Sequence, residues 1–436
     1  MKSIIKFSQL KRNAFSGALQ SLSGVVVLII TYPIIIKFLG YNIFGIWATL
    51  SIIIKMGDLG NLGITSALMK LIAEDWSMGN KKQIQDYISG SFIILCATSI
   101  VIMISSFALN GSILKLLNVS NEYQEMVSAL IPMVAVVSIL TIINNNLKAI
   151  LTGIGRMDLA NIIFIFGTLL KGLCSVLFLY MKLWIWALPL SFGISNVIVL
   201  IVYVNFLKKY NLSNLFIFKE INAKSFRRLL SFGGAIVGSQ SLNILGVSLI
   251  KIFIARSFGF SEVSIFEITW RIVSNIRNIV LKIVIAIMPK VSQLNSMNRF
   301  LSMKRIYWKA IGFVTLIVAI CFIIIFFFST EILKFWLKGD FSPSIIVSLK
   351  ILSIGWIGSL FFVPAYFYLM GINKERHCFY ESLIKILFLV IGFCFLNYNG
   401  NLSFINIIFV TSLSVIISHI YIGSVLHFNK LYMPKA

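Results

Sequence analysis

Long apolar runs separated by short polar breaks recur from one end of the chain to the other. A helix needs about 20 apolar residues to cross a bilayer, and the pattern predicts twelve spans of roughly that length. They fall at about 16–39, 43–69, 87–109, 126–147, 159–180, 183–207, 231–255, 264–288, 308–328, 344–370, 379–397 and 403–426. A β-barrel would instead show short segments of alternating polarity. The expected class is therefore an all-α integral membrane protein. An even number of spans places both termini on one side.

The longest polar break, about 208–230, divides the chain near its middle. The halves also resemble each other in sequence. FSGA at Phe15 matches FGGA at Phe232, KFLG at Lys37 matches RSFG at Arg256, SALM at Ser66 matches IAIM at Ile285, and LTGIGR at Leu151 matches LMGINK at Leu369. The four matches keep their order and a nearly constant spacing. Two six-helix bundles follow as the expectation: a first lobe over 1–213, a linker over 214–230 and a second lobe over 231–436. Six is even, so the repeat is parallel, with a binding cavity expected between the halves near the membrane midplane.

Composition agrees with this reading. The chain is 59% hydrophobic with a mean hydropathy of +0.96, whereas soluble chains run nearer 45–50% apolar. Thirty-eight Lys and Arg against fourteen Asp and Glu give a net charge of +24. In a soluble protein that excess suggests nucleic acid. Here it sorts by side of the membrane. The side holding the termini takes most of the basic residues, and the other loops hold only Lys115, Lys182, Arg256, Lys334 and Lys338. Basic loops stay in the cytoplasm, so the termini are expected there and no nucleic-acid partner is needed. Lys2, Lys6, Lys11 and Arg12 precede an apolar stretch with no small-residue cleavage site, which reads as a retained first helix.

Metal and redox chemistry find no support. The five cysteines are scattered without a CxxC pair, and no HExxH or paired-His spacing occurs. No metal and no cofactor are expected. The glycines of GDLGNLG at 57–63 follow no strand and lie in a span, so they do not read as a nucleotide loop. His419 reads as a packed or pore-side histidine. Pro33, Pro132, Pro189 and Pro364 stand where spans can bend.

The charges inside the spans carry the chemistry. A basic residue at the centre of a lipid-facing helix costs roughly 2.5–3.5 kcal/mol. The eighth span nevertheless holds Glu267, Arg271, Arg277 and Lys282. At about 100° per residue, Glu267, Asn275, Asn278 and Lys282 all fall within about 40° of Arg271, with Arg277 about 120° away. Such a stripe must face a cavity or another helix, because lipid cannot solvate it. In the second span Lys55 and Asp58 stand three apart, on one face. Lys171 lies at mid-depth in the fifth span. Lys37, Lys251, Lys350, Lys385 and Lys282 are nearer span ends, where a lysine can snorkel to the headgroups. With Lys309, at the inner boundary of the ninth span, counted among the loops, nine cations in the spans stand against only Asp58, Glu267 and Glu381. The surplus calls for water or an anionic ligand, and arginine suits phosphate because its planar fork binds it bidentately.

Several stretches then carry a family likeness: FGIWATL from Phe44, DLGNLGITSAL from Asp58, IAEDWSMGNKKQIQDYI from Ile72, LTGIGRMDLANI from Leu151, LLSFGGAIVGSQ from Leu229 and IMPKVSQL from Ile287. With them the chain resembles, over essentially its whole length, the Wzx-type O-antigen and polysaccharide flippases of the multidrug/oligosaccharidyl-lipid/polysaccharide (MOP) exporter superfamily. The resemblance implies a multi-pass protein of the bacterial inner membrane that works in lipopolysaccharide or capsule biosynthesis. Its cargo would be an undecaprenyl-diphosphate-linked glycan, moved from the cytoplasmic to the periplasmic leaflet by alternating access. Implied partners are membrane lipid, a coupling proton or sodium ion, and other polysaccharide-assembly membrane proteins. By location and chemistry, Arg271, Arg277, Lys282, Lys55, Lys171, Asn275 and Asn278 would meet the diphosphate, with Asp58, Glu267 and Glu381 as coupling or charge-pairing groups. The rival readings are lipid II or multidrug export within the same superfamily and, from another class, a membrane-embedded polymerase or glycosyltransferase. The outer segments are short and hold no paired-carboxylate or nucleophile constellation, so no enzyme is expected.

Overall fold

The computed structural model describes residues 2–59, 62–210, 212, 228–229, 234–337 and 341–428. Among them there is no strand. The helices are α1 (Lys2–Leu59), α2 (Leu62–Met78), α3 (Lys81–Ala108), α4 (Asn110–Leu116), α5 (Asn121–Gly153), α6 (Met157–Tyr180) and α7 (Ala187–Lys208). They continue as α8 (Gly234–Phe258), α9 (Phe260–Val284), α10 (Ile287–Ser296), α11 (Phe300–Leu337), α12 (Pro343–Leu352), α13 (Val363–Gly371), α14 (Arg376–Tyr398) and α15 (Phe404–Phe428).

Eleven helical stretches among the described residues are long and apolar enough to cross a membrane. The sequence pattern predicts twelve. The difference arises at Gly40, where α1 runs through a non-helical residue into the second expected span. Within the second expected span, 43–69, α1 reaches Leu59 and α2 starts at Leu62, with residues 60 and 61 outside the described residues. The tenth expected span is broken. It passes from α12 through a π-helical turn, Ser353–Ile357, and a 3-10 turn, Gly358–Phe362, into α13. Pro364 sits in the first turn of α13, where its missing N–H is not needed, whereas Pro33 and Pro132 lie inside continuous helices.

Outward-facing residues are themselves apolar. On α11, Phe327 and Phe335 are 75% and 90% exposed. In water such a face would be unstable; in a bilayer it is the ordinary lipid-facing surface. The protein is a multi-pass, all-helical membrane protein.

The chain forms two compact units, Met1–Val237 and Gly238–Ala436. Apart from Arg228 and Leu229, the expected linker over 214–230 lies outside the described residues, as do Phe232 and Gly233 of the FGGA match. In the first unit α5 is central and packs against α1, α2, α3, α6 and α7. Leu68, Ile72, Ile84, Tyr87 and Ile150 form part of its fully buried core. Buried amide N–H groups of this unit find internal acceptors, as a dry environment favours. The amide of Asn144 donates to the Asn196 carbonyl at 2.9 Å, and that of Asn146 to Ser91 at 3.1 Å. Near the α6 N-terminus, Arg12 and Arg156 hold the buried Asp158 carboxylate at 2.5 and 3.3 Å.

In the second unit α9 packs on α12, α10 on α13, α12 on α15, and α14 on α15. Within each unit the same glycine contact recurs. A Cβ on Gly153 would stand 2.8 Å from Ile72 and 3.0 Å from the Met69 carbonyl oxygen. One on Gly371 would stand 2.9 Å from both Val291 and the Met288 carbonyl oxygen. Met69 and Met288 stand at equivalent positions of the sequence repeat, as do Ile72 and Val291 and the two glycines themselves. The helix ends that follow are also alike. Arg156 N–H bonds the Leu151 carbonyl and Lys374 N–H the Leu369 carbonyl, both at 2.9 Å. The residue before each is left-handed, Gly155 at φ 82° and Asn373 at φ 59°, as a helix C-cap of this type demands.

Candidate functional site

In the second unit, α8 supplies Lys251 and α9 supplies Glu267 and Arg271. Glu267 is buried, and its two oxygens take Lys251 Nζ at 2.7 Å and Arg271 Nε at 2.6 Å. Arg271 follows Glu267 by one helical turn, the spacing at which opposite charges meet on one face. Lys251 is only 6% exposed in its side chain. It does not snorkel to a headgroup, as its position near a span end suggests; the buried carboxylate supplies a nearer partner.

Along α9 the polar stripe is graded. Glu267 is buried, Arg271 and Asn275 are half-buried, and Asn278 and Lys282 are exposed. The angular reading of the sequence thus places these five residues on one side of the helix, with its open end toward the C-terminus of α9. Arg277 lies off that stripe. Its guanidinium sits over the Trp356 ring, 5.2 Å from the centroid, in contact with the π-helical turn.

A second carboxylate cluster joins α14 and α15. Glu381 Oε1 accepts from Ser418 Oγ at 2.8 Å and lies 3.4 Å from Lys385 Nζ and 3.3 Å from His419 Nδ1. Its other oxygen accepts from Ser382 Oγ at 3.1 Å. Lys385 also donates to Asn243 Oδ1 of α8 and stands 5.7 Å from the centre of the Trp356 ring. Lys385 is buried, so the snorkelling expectation fails here as well. His419 is the packed histidine the sequence suggests, facing the Val415 carbonyl at 3.0 Å.

In the first unit, Lys55 Nζ stands 3.7 Å from Asp58 and is 60% exposed in its side chain. Asp58 also accepts from Asn145 of α5 at 3.0 Å. Lys171 of α6 lies over the Phe192 ring of α7, 4.5 Å from its centre. The Lys55–Asp58 pair is not repeated in the second unit, where the equivalent positions hold Ser274 and Arg277.

Trp356, Asn243, Ser382 and Ser418 complete the second-unit clusters and carry no sequence signal of their own. The one legible hint is Glu381 and Lys385 at i,i+4 inside an apolar span. Among the described residues, no group of three or more His, Cys, Asp or Glu side chains is arranged to hold a metal ion.

Known proteins share this fold. Residues 14–177 match the family model MatE. No curated protein matches the chain. Solved structures do, over nearly the full length. An inward-facing multidrug resistance MATE family transporter of the MOP superfamily superposes with a TM-score of 0.73 at 16% identity, covering 98% of this chain and 96% of its own. The MATE multidrug transporter DinF-BH, solved as a complex, gives 0.69 at 17% identity, covering 98% and 96%. A MOP superfamily transporter from Pyrococcus furiosus, described as having a binding pocket of reversed polarity that suggests a different function, gives 0.68 at 15% identity, covering 95% and 96%. The protein therefore has the fold of the MATE transporters of the MOP superfamily, with a MatE match of its own across most of the first unit.

Proposed function

We propose that the protein is a MOP superfamily transporter whose cargo is an undecaprenyl-diphosphate-linked oligosaccharide, flipped from the cytoplasmic to the periplasmic leaflet by alternating access. The observation that carries the substrate class is the graded basic stripe of α9. It runs from the buried, ion-paired Glu267 through the half-buried Arg271 to the exposed Lys282. Two cations share Glu267, so the stripe keeps a positive surplus that an organic cation would meet with repulsion and a diphosphate with attraction. The Arg271 side chain is 43% exposed, and a guanidinium's fork of N–H donors matches phosphate geometry. Lys55 and Lys171 add positive charge in the first unit. Asp58, Glu267 and Glu381 are the groups whose charge a coupling proton or sodium ion would change. Both the position of the termini in the cytoplasm and residence in a bacterial inner membrane belong to this proposal.

Multidrug export is the second reading. It is favoured by the likeness to structures of multidrug MATE transporters, and the fold fits it at least as well as it fits glycolipid flipping. One experiment separates the two. Proteoliposomes of the wild type, Arg271→Ala and Lys282→Ala would be assayed for translocation of a lipid-diphosphate-linked oligosaccharide and for efflux of ethidium, a fluorescent organic cation. Glycolipid movement that falls by tenfold or more in Arg271→Ala, with no ethidium efflux, supports flipping through the stripe. Ethidium efflux without glycolipid movement replaces the proposal with drug export.

A further inference from the structure

In the second unit α10 turns into α11 through Met297, Asn298 and Arg299. This corner has an equivalent in the first unit, where α2 turns into α3 through Gly79 and Asn80. The two share one backbone plan. Asn298 N–H bonds the Asn295 carbonyl and Arg299 N–H the Leu294 carbonyl, at 3.0 and 2.9 Å. Gly79 N–H bonds the Trp76 carbonyl and Asn80 N–H the Asp75 carbonyl, at 3.2 and 3.0 Å. Asn298 and Gly79 are both left-handed, at φ 54° and φ 72°.

Charge separates the two corners. Over 290–309 the second unit holds Lys290, Arg299, Lys304, Arg305 and Lys309 and no Asp or Glu. The matching stretch of the first unit, 71–90, holds Lys81 and Lys82 against Glu74, Asp75 and Asp86. Glu74 in turn pairs with Lys70 at 4.0 Å and with Arg228 at 2.8 Å. Among the described residues none of the five second-unit cations forms an ion pair. Sorting of basic loops by side of the membrane does not account for the difference. The stretches α3, α5, α6, α7, α8 and α9 with α10, each of span length, separate the corners along the chain. Their number is even, so that sorting acts on both corners alike.

Apolar side chains are set among the charges. Met297, Phe300, Leu301 and Trp308 are all exposed, and Phe300 and Leu301 stand where the first unit has Lys81 and Lys82. At about 100° per residue, Lys304, Trp308, Leu301, Arg305 and Lys309 follow one another around α11 over about 140°. The buried Met303 and Tyr307 lie outside that arc. Outward apolar residues are ordinary where acyl chains surround them. Here they alternate with cations at the junction of two span-length stretches, beside the polar Asn295, Ser296 and Asn298. A face both basic and apolar fits the headgroup layer, where anionic lipid meets the cations and the acyl boundary meets the apolar side chains.

We infer that the α10–α11 corner is a binding surface for anionic phospholipid, with Arg299, Lys304 and Arg305 on the headgroup phosphate and Leu301 and Trp308 against the acyl chains. Clusters of about 4–8 Lys or Arg next to a span attract anionic lipid in this way. The lipid holds the second unit at a place where the first unit, with its three acids, offers no match. It does so whether the transported cargo is a glycolipid or a drug.

The test uses the full-length protein in detergent, with thermal unfolding followed as phosphatidylglycerol, phosphatidylcholine or inorganic phosphate is added at constant ionic strength. Phosphatidylglycerol is expected to raise Tm, and the other two are not. The triple variant Arg299→Gln, Lys304→Gln, Arg305→Gln should need roughly tenfold more phosphatidylglycerol for half the rise, because each cation near the lipid surface adds to the attraction. Three neutralisations in the first unit, Lys70→Gln, Lys81→Gln and Lys82→Gln, should leave the response near that of the wild type. Should the second-unit variant fold poorly, photocrosslinking of the wild type with a diazirine-bearing phosphatidylglycerol gives the second measurement, with adducts expected within 297–309. Equal rises with the two lipids, equal shifts in the two triple variants, or no adduct within 297–309 overturns the surface. A rise with inorganic phosphate as large as with phosphatidylglycerol replaces the lipid with a free anion.

Discussion

Gly40 and Gly259, at equivalent positions of the two halves, hold the same backbone conformation, φ 69° with ψ 172° and φ 91° with ψ −177°. This region is open essentially to glycine alone. At each position it joins the first long helix of a unit to the next helical stretch. Nothing lies within 4 Å of a Cβ built on either residue. The requirement is therefore one of backbone angle and not of space.

Gly40→Ala and Gly259→Ala are each expected to destabilise the protein by about 1–3 kcal/mol. Gly24→Ala is the control, since Gly24 is helical and equally open. Thermal unfolding in detergent should lower Tm for the first two and leave the third unchanged or higher. Equal behaviour of all three would remove the conformational argument.

Gly153 and Gly371 present the opposite case, in which space decides. Alanine at either position meets neighbours inside 3.0 Å, and overpacking of this kind costs about 1–3 kcal/mol. For Gly153→Ala, the added mutation Ile72→Ala should show a favourable coupling, because it removes the Cγ2 methyl 2.9 Å from the new Cβ. For Gly371→Ala, Val291→Ala removes a methyl 2.9 Å away in the same way, and in both cases recovery should be partial, because the carbonyl oxygens of Met69 and Met288 stay at 3.0 and 2.9 Å. A double-mutant cycle on unfolding free energy measures both couplings.

Glu267→Gln removes the counter-charge of Lys251, whose side chain is 6% exposed. Breaking a buried pair from one side typically costs about 3–5 kcal/mol, so this variant should express poorly or melt early. The double variant Glu267→Gln with Lys251→Met should recover much of that stability. Failure of the second change to rescue the first would mean that Glu267 matters for something other than its pair.

Around Asp158 the two arginines differ in weight. The carboxylate is 4% exposed, Arg12 61% and Arg156 37%. Asp158→Asn is expected to lose about 1–3 kcal/mol, because two charge-assisted bonds go at once. Arg12→Ala alone should cost less than about 1 kcal/mol, as exposed pairs do. Comparing the unfolding of both variants checks the order.

The exposed Lys55 gives a clean separation of transport from stability. Its ion pair with Asp58 is 3.7 Å long, its own side chain is 60% exposed, and Asp58 keeps its bond from Asn145, so Lys55→Ala should change stability by less than about 1 kcal/mol. If Lys55 serves the cargo, transport in proteoliposomes falls while Tm holds. Wild-type transport at wild-type Tm would remove Lys55 from the proposed path.

The amino-acid sequence by itself determined that this is a helical membrane protein with a duplicated plan. Apolar run length sets the spans because the hydrocarbon thickness is fixed. The matches KFLG with RSFG and LTGIGR with LMGINK mark glycines and helix ends whose backbone angles only a few residues allow, so a one-dimensional pattern carries them. The stripe of Glu267, Arg271, Asn275, Asn278 and Lys282 was legible for the same reason, since a helix turns by a constant angle. Only the tertiary structure decided where the other charges go. Lys251 and Lys385 stand near span ends, where chain position alone suggests the headgroups, yet each turns inward to Glu267 or Glu381. Arg277 stacks on Trp356, which is far from it along the chain. Electrostatic pairing depends on distance in space and on local dielectric, and neither is written in the spacing of residues along the chain.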